Sequence, residues 1–199
     1  MNYYQELILL SDPGISPYFI WGKLYKQLHI ALANIHNNYG INNIGVSFPN
    51  YRFEQGDEKT FATLGNKLRI FAKHEHDLQT LNIAKWLERL TDYVQNESIE
   101  YVPDNTGHII VQRYRHYNEQ KQAEKFAAFK DIPYKDALEH CKKYKRDNQS
   151  YPFINLKSEG NNHFYKLAIK QEKADKPVQG TFNTYGINNL SNKVTVPHW

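Results

Sequence analysis

Ile20, Leu24, Leu28, Ala31, Leu32 and Ile35 recur at the spacing of one helical face, and short β-forming runs stand on both sides of the helix they define. Upstream, Tyr3–Leu10 mixes tyrosine with aliphatic residues as a strand does, and Asp12-Pro13-Gly14 breaks it. Ser16 reads as an N-cap before Pro17 at the first helical position, and Asn37, Asn38 and Gly40 end the helix. A strand at Ile44–Phe48 stops at Pro49, and after a polar loop rich in Asp, Glu and Gly another follows at Leu68–Ala72. The pattern predicts a second helix over Asp77–Val94, burying Leu78, Leu81, Trp86, Leu87 and Leu90, and a fourth strand at Ile99–Val102 ended by Pro103. The fold class is therefore α+β, with a ferredoxin-like (RRM-like) β-α-β-β-α-β domain over residues 1–103.

Residues 104–199 form a less regular α+β half. His108–Arg115 alternates as a strand, helical stretches follow near Glu119–Lys130 and Tyr134–Arg146, and strands return at Phe153–Leu156 and Phe164–Lys170. A final strand is expected near Thr181–Tyr185, before Val194–Trp199. This half is also the basic one. Residues 1–100 hold 9 Lys and Arg against 11 Asp and Glu, whereas residues 101–199 hold 16 against 10. Such asymmetry suggests a face that meets a polyanion, although a solvated lysine-rich surface fits the count equally well.

Several classes drop out. The single cysteine, Cys141, leaves no disulfide framework and no cysteine-based zinc cluster. Met1–Leu10 has no basic start and contains Glu6, unlike a signal peptide, and no apolar run approaches a membrane span. A soluble, cytoplasmic protein is the expectation. There is no P-loop, dinucleotide glycine motif, HExxH or G-x-S-x-G, and His74 and His76 lack a third metal ligand nearby. No metal or other cofactor is expected.

Chemistry on RNA needs few groups, because the 2′-hydroxyl is itself the nucleophile; a histidine can take its proton near neutral pH. His29 lies beside the apolar stripe on a ridge with Tyr25 and Leu32. By itself that placement more often means a histidine finishing the edge of a core. Arg113 and Arg115 stand two apart on a predicted strand, so both project from one face, as base-reading or simply solvated arginines. Lys121, Lys125, Lys142, Lys143, Lys145 and Arg146 follow on helical stretches, where they can contact phosphates or merely coat a helix.

A series of local strings resembles the type I-F CRISPR endoribonucleases that trim repeat RNA into guide RNA. They are Leu28-His29-Ile30-Ala31-Leu32, Ile44-Gly45-Val46-Ser47-Phe48-Pro49, Leu64-Gly65-Asn66-Lys67-Leu68-Arg69-Ile70, Trp86-Leu87-Glu88, Val102-Pro103, Leu156-Lys157-Ser158, His163-Phe164 and Thr184-Tyr185-Gly186-Ile187. Their order spans nearly the whole chain. The resemblance implies His29 as the group that takes the 2′-hydroxyl proton, Ser158 as the holder of that ribose and Tyr185 as the residue that orients His29. It further implies metal-free cleavage to a 2′,3′-cyclic phosphate and a 5′-hydroxyl, with Phe164 stacked at the hairpin's foot and Lys157 beside the serine in the RNA-binding set. Arg113 matches a base-reading arginine, while Arg115 stands where a relative has glutamine, which suggests guanine in place of adenine.

The helix Glu119–Lys130 departs from the family's arginine-rich pattern, carrying Lys121, Lys125 and Lys130 but no arginine. Lysine lacks the planar fork, so hairpin binding should be more salt-sensitive, with support from Lys142–Arg146. The partners implied are a CRISPR repeat stem-loop and other subunits of the type I-F surveillance complex, with no membrane and a monomer when free. Two other readings compete: a hairpin-binding subunit without turnover, and a generic RRM-like RNA binder.

Overall fold

The computed structural model describes every residue except 57, 58, 116, 144–148, 159, 161 and 190. Along the chain run β1 (Tyr3–Leu9), α1 (Pro17–Tyr39), β2 (Gly45–Ser47), β3 (Arg52–Gln55), β4 (Thr60–Thr63), β5 (Lys67–Ala72), α2 (Glu75–Leu81), α3 (Ile83–Trp86), β6 (Val94–Tyr101), β7 (Gly107–Tyr114), α4 (Glu119–Lys130), α5 (Tyr134–Lys142), β8 (Phe153–Lys157), β9 (Phe164–Ala174) and β10 (Thr195–His198). The architecture is α+β, as expected.

The first sheet has the order β2-β5-β1-β6, every pairing antiparallel, with β1 and β5 central. That order is the ferredoxin-like arrangement of a β-α-β-β-α-β chain. The helix α1 closes it as read from sequence: Pro17 opens the first turn, and Gly40 at φ 69 donates its N–H to the carbonyls of His36 and Ile35. Ile20, Leu24, Leu28, Ala31, Leu32 and Ile35 are all buried.

Three expectations for this part are corrected. The polar loop after Pro49 contains the hairpin β3–β4, paired from Arg52↔Thr63 to Gln55↔Thr60. The predicted helix Asp77–Val94 is broken: α2 ends at Leu81, Asn82 turns left-handed at φ 42, and α3 and a 3-10 turn at Glu88–Leu90 follow. Leu78, Leu81, Ile83 and Leu87 are buried through these turns, so the apolar stripe is kept although one continuous helix is not. The fourth strand begins at Val94 rather than Ile99, because it pairs with β1 down to Leu9↔Val94.

The second sheet has the order β10-β7-β9-β8, again antiparallel. Thr181–Tyr185 forms no strand, its last two residues being a turn, and the closing strand is β10. Both sheets contribute to one apolar core, in which Leu7, Leu28, Val46 and Ile70 lie with Val111, Ile154, Leu167 and Val196. The buried carboxylate of Glu6 accepts from Lys67 Nζ and Arg69 Nε, each at 2.7 Å, and Arg69 continues to the Trp199 carbonyl at 3.1 Å. Burial pushes the Glu6 carboxyl up, but hydrogen bonds and charge from Lys67 and Arg69 outweigh it and hold the group below its ordinary range.

Compact units divide the chain as Met1–Tyr114 with Tyr151–Trp199, and Arg115–Ser150. β7 to β10 share the apolar core of the first sheet. Arg115–Ser150 is an α4–α5 pair closed over Ala123, Ala137 and Cys141, with Phe126 stacked on His140 at 4.5 Å. Asn118 caps α4 by accepting from the Lys121 N–H at 2.9 Å.

Candidate active site

His29 and Tyr25 lie one turn apart on α1 and grip the same piece of chain. The Tyr25 hydroxyl donates to the Tyr185 carbonyl at 2.8 Å, and His29 Nδ1 meets the Thr184 carbonyl at 2.8 Å. A carbonyl only accepts, so Nδ1 carries the proton in this bond and Nε2 of the neutral ring carries the free lone pair. The Tyr185 ring lies flat on the imidazole, centroids 3.9 Å apart and planes 2° apart. Contact with Tyr185 together with the Thr184 bond fixes both the plane and the tautomer of His29.

The segment that supplies these partners is shaped by its own sequence. Asn183 Oδ1 accepts from the Tyr185 N–H at 2.8 Å, a local Asx turn, and the Gly186 N–H donates to the Asn183 carbonyl at 2.8 Å. Gly186 stands at φ 70, and a Cβ there would meet Val46 at 2.8 Å, so only glycine allows this approach to β2. Val46 donates its N–H to the Gly186 carbonyl at 2.8 Å. Below the turn, buried Asn188 donates to the Val111 and Val194 carbonyls and accepts from the Val194 N–H.

A further tyrosine extends the cluster. Tyr165 on β9 hydrogen-bonds hydroxyl to hydroxyl with Tyr185 at 2.7 Å, and the guanidinium of Arg113 lies 5.7 Å from the Tyr165 ring. Burial, and then the bond to Tyr185, push the Tyr165 phenol above its ordinary range, with Arg113 acting in the opposite sense. Burial likewise pushes Tyr25 up. Both phenols stay protonated in the physiological range and act as hydrogen-bonding groups.

The expected site residues distribute as follows. His29 and Tyr185 are in contact. Arg113 joins them through Tyr165, on the β7 face that buries Ile109 and Val111, and its Nε is buried with no partner among the described residues. Ser158 follows the last residue of β8, and its N–H donates to the His163 carbonyl at 2.9 Å. Among the described residues no hydrogen bond joins its hydroxyl to His29 or Tyr185. Lys157 and Phe164 are register partners at the same strand ends, with Lys157 Nζ 5.6 Å from the Phe164 ring, which is 78% exposed.

Arg115 lies past the end of β7, so it does not share a strand face with Arg113. It falls in the second unit with Lys121, Lys125, Lys142 and Lys143, and all five are exposed. The expected helix Tyr134–Arg146 runs to Lys142, and Lys145 and Arg146 lie outside the described residues. Sequence reasoning passed over Tyr165 and Asn183. The turn signal Asn-x-x-Gly before Ile187 is readable in retrospect, whereas nothing local marks Tyr165.

The site is thus a helix-borne imidazole set by a distant turn in a fold of two antiparallel sheets. The profile of one family, described as CRISPR-associated protein (Cas_Csy4), matches residues 4–199, and the chain belongs to that family. Its similar relatives include the CRISPR-associated endonuclease Cas6/Csy4 of Escherichia coli (strain UTI89 / UPEC), 29% identical over 199 residues and 99% of each chain. The protein of the same name from Pseudomonas aeruginosa (strain UCBPP-PA14) is 27% identical over 190 residues, covering 94% of this chain and 96% of its own. Among solved structures, a CRISPR associated protein Cas6 aligns over 99% of this chain and 98% of its own at a TM-score of 0.37 and 11% identity.

Proposed function

We propose that this protein is an endoribonuclease that cuts CRISPR repeat RNA at the foot of its hairpin, without a metal, and stays on the product. The observation that carries the reading is the tautomer of His29: with Nδ1 donating to Thr184, Nε2 is free to accept the 2′-hydroxyl proton. The 2′-oxygen then attacks the adjacent phosphorus, the bond from phosphorus to the 5′-oxygen breaks, and that oxygen takes up a proton from solvent or from the protonated His29, giving a 2′,3′-cyclic phosphate and a 5′-hydroxyl. Tyr185 keeps the imidazole in plane, which limits the orientations the ring samples before attack.

Ser158 holds the nucleophilic ribose in this scheme, and Phe164, exposed beside it, stacks on the base at the hairpin's foot. Arg113 reads a base edge, and Arg115, Lys121, Lys125, Lys142, Lys143, Arg146 and Lys157 supply contacts to base or phosphate. Family membership and the named endonuclease relatives support this assignment. In the cell the protein is a subunit of a type I-F ribonucleoprotein, monomeric when free and cytoplasmic. No helix among the described residues is long and apolar enough to cross a membrane.

The deciding experiment incubates the protein with its cognate repeat RNA in EDTA beside His29→Ala. Cleavage by the parent, lost in the variant while hairpin binding persists, is the expected result. Binding with no cleavage by the parent would replace this reading with a hairpin-binding subunit, and absence of hairpin preference would leave only a generic RNA binder. Repeat RNA with a 2′-deoxy residue just upstream of the cut should bind and stay intact; its cleavage would refute the proposed nucleophile.

A further inference from the structure

The outward face of β8 and β9 alternates rings and lysines. Lys157 pairs with Phe164, Asn155 with Lys166 and Phe153 with Ala168 in the strand register. Lys166 Nζ lies 4.2 Å from the Phe153 ring, and Lys157 Nζ 5.6 Å from Phe164. Tyr18 of α1 stacks beside Phe153 at 6.4 Å and is 56% exposed. Towards the other end, Tyr151 is enclosed by Phe53 at 4.4 Å and Tyr114 at 4.7 Å, and Lys170 is engaged by Glu172 at 2.6 Å. Glu172 is the one carboxylate among the described residues of β8 and β9, so the open part of the face carries only positive charge.

We propose that this open face, Phe164, Lys166, Phe153 and Tyr18 with Lys157, is a track for the unpaired RNA that adjoins the hairpin. Successive outward residues on a strand stand about 6.7 Å apart, a step that an extended nucleotide matches. Flat rings take the faces of unstacked bases, and the lysines between them take phosphates. The interior of a duplex does not fit, since its base faces are covered by stacking and only its end pair, at Phe164, offers one. An acidic protein segment would satisfy the lysines but leave the rings without partners. The inference rests on the endoribonuclease reading for which RNA arrives; the stacking itself does not.

The test compares the dissociation constant of a bare repeat hairpin with that of the same hairpin carrying an unpaired extension of about eight nucleotides, both blocked by a 2′-deoxy residue at the cut. The extension should tighten binding by the parent about tenfold, and that gain should fall to about twofold or less in Lys166→Gln, Tyr18→Ala and Phe153→Ala. The first two change surface side chains and keep the test alive if Phe153→Ala does not fold. No gain from the extension in the parent, or a gain that survives in all three variants, overturns the track. Should the parent show no hairpin binding, the functional reading has failed, and titration with unstructured oligouridine decides the track alone. Binding weakened in the variants then supports it; no binding, or binding equal in parent and variants, refutes it.

Discussion

The two compact units differ in how much apolar surface each encloses. Met1–Tyr114 with Tyr151–Trp199 buries large side chains completely, among them Tyr25, Phe48, Phe71 and Leu28. Arg115–Ser150 closes over Ala123, Ala137 and Cys141, with Phe126, Ala127, Ile132 and Leu138 partly covered. A densely packed core can hold an imidazole at a set angle, because each supporting side chain has few alternatives. A thin one cannot, but it can present lysines. The comparison teaches that rigid packing is concentrated in the unit that holds His29, whereas the second unit presents exposed lysines on a thin core.

The largest expected effect tests precision. His29→Ala should slow single-turnover cleavage about 10²–10⁴-fold at saturating protein, with the hairpin dissociation constant little changed; a comparable rise in that constant would mean that His29 binds rather than reacts. Next comes the core beneath it: Leu28→Ala should cost about 2–5 kcal/mol in urea unfolding. Its counterpart in the second unit, Phe126→Ala, should cost less, since Phe126 is only partly covered. Equal losses would break the contrast between the units.

Charge in the second unit supplies the middle of the range. Lys121→Gln with Lys125→Gln should flatten the slope of log affinity against log salt by about two and leave the saturating cleavage rate alone. A changed rate with an unchanged slope would place these lysines in the chemistry instead. A smaller effect is expected at Tyr165→Phe, which removes the hydroxyl partner of Tyr185. Cleavage should slow several-fold at saturation without a change in RNA affinity, and a rate equal to the parent's would assign Tyr165 to packing.

The smallest effect concerns pH. His198 on β10 is partly buried, and burial first, then the charges of Arg69 and Lys173, lower its affinity for a proton below the ordinary 6.5. The unfolded chain therefore binds this proton more readily than the folded one. The stabilising contribution is present above about pH 6.5 and is lost as the pH falls through the folded value. His198→Gln should blunt the fall in melting temperature across that window; an unchanged profile would remove His198 from the account.

Local signals carried most of the first domain. The α1 stripe, its proline start and its glycine stop are properties of consecutive residues, and the helix forms where they place it. The second helix misled because Leu78, Leu81, Trp86, Leu87 and Leu90 satisfy helical spacing even when Asn82 interrupts the backbone. Arg115 misled for a related reason: alternation continues in the sequence one residue beyond the last strand residue, Tyr114.

By itself, then, the amino-acid sequence determined α1, the β-α-β-β-α-β alternation of the first sheet without its β3–β4 hairpin, the basic second half, and the strings that resemble the family around His29, Ser158 and Tyr185. Only the tertiary structure decided that Thr184 sets the tautomer of His29, that Tyr165 meets Tyr185, and that Arg113 joins this cluster while Arg115 lies past the end of β7. The reason is physical. Periodicity reports which side of an element is apolar, whereas a hydrogen bond between residues 155 positions apart depends on how the separate elements pack.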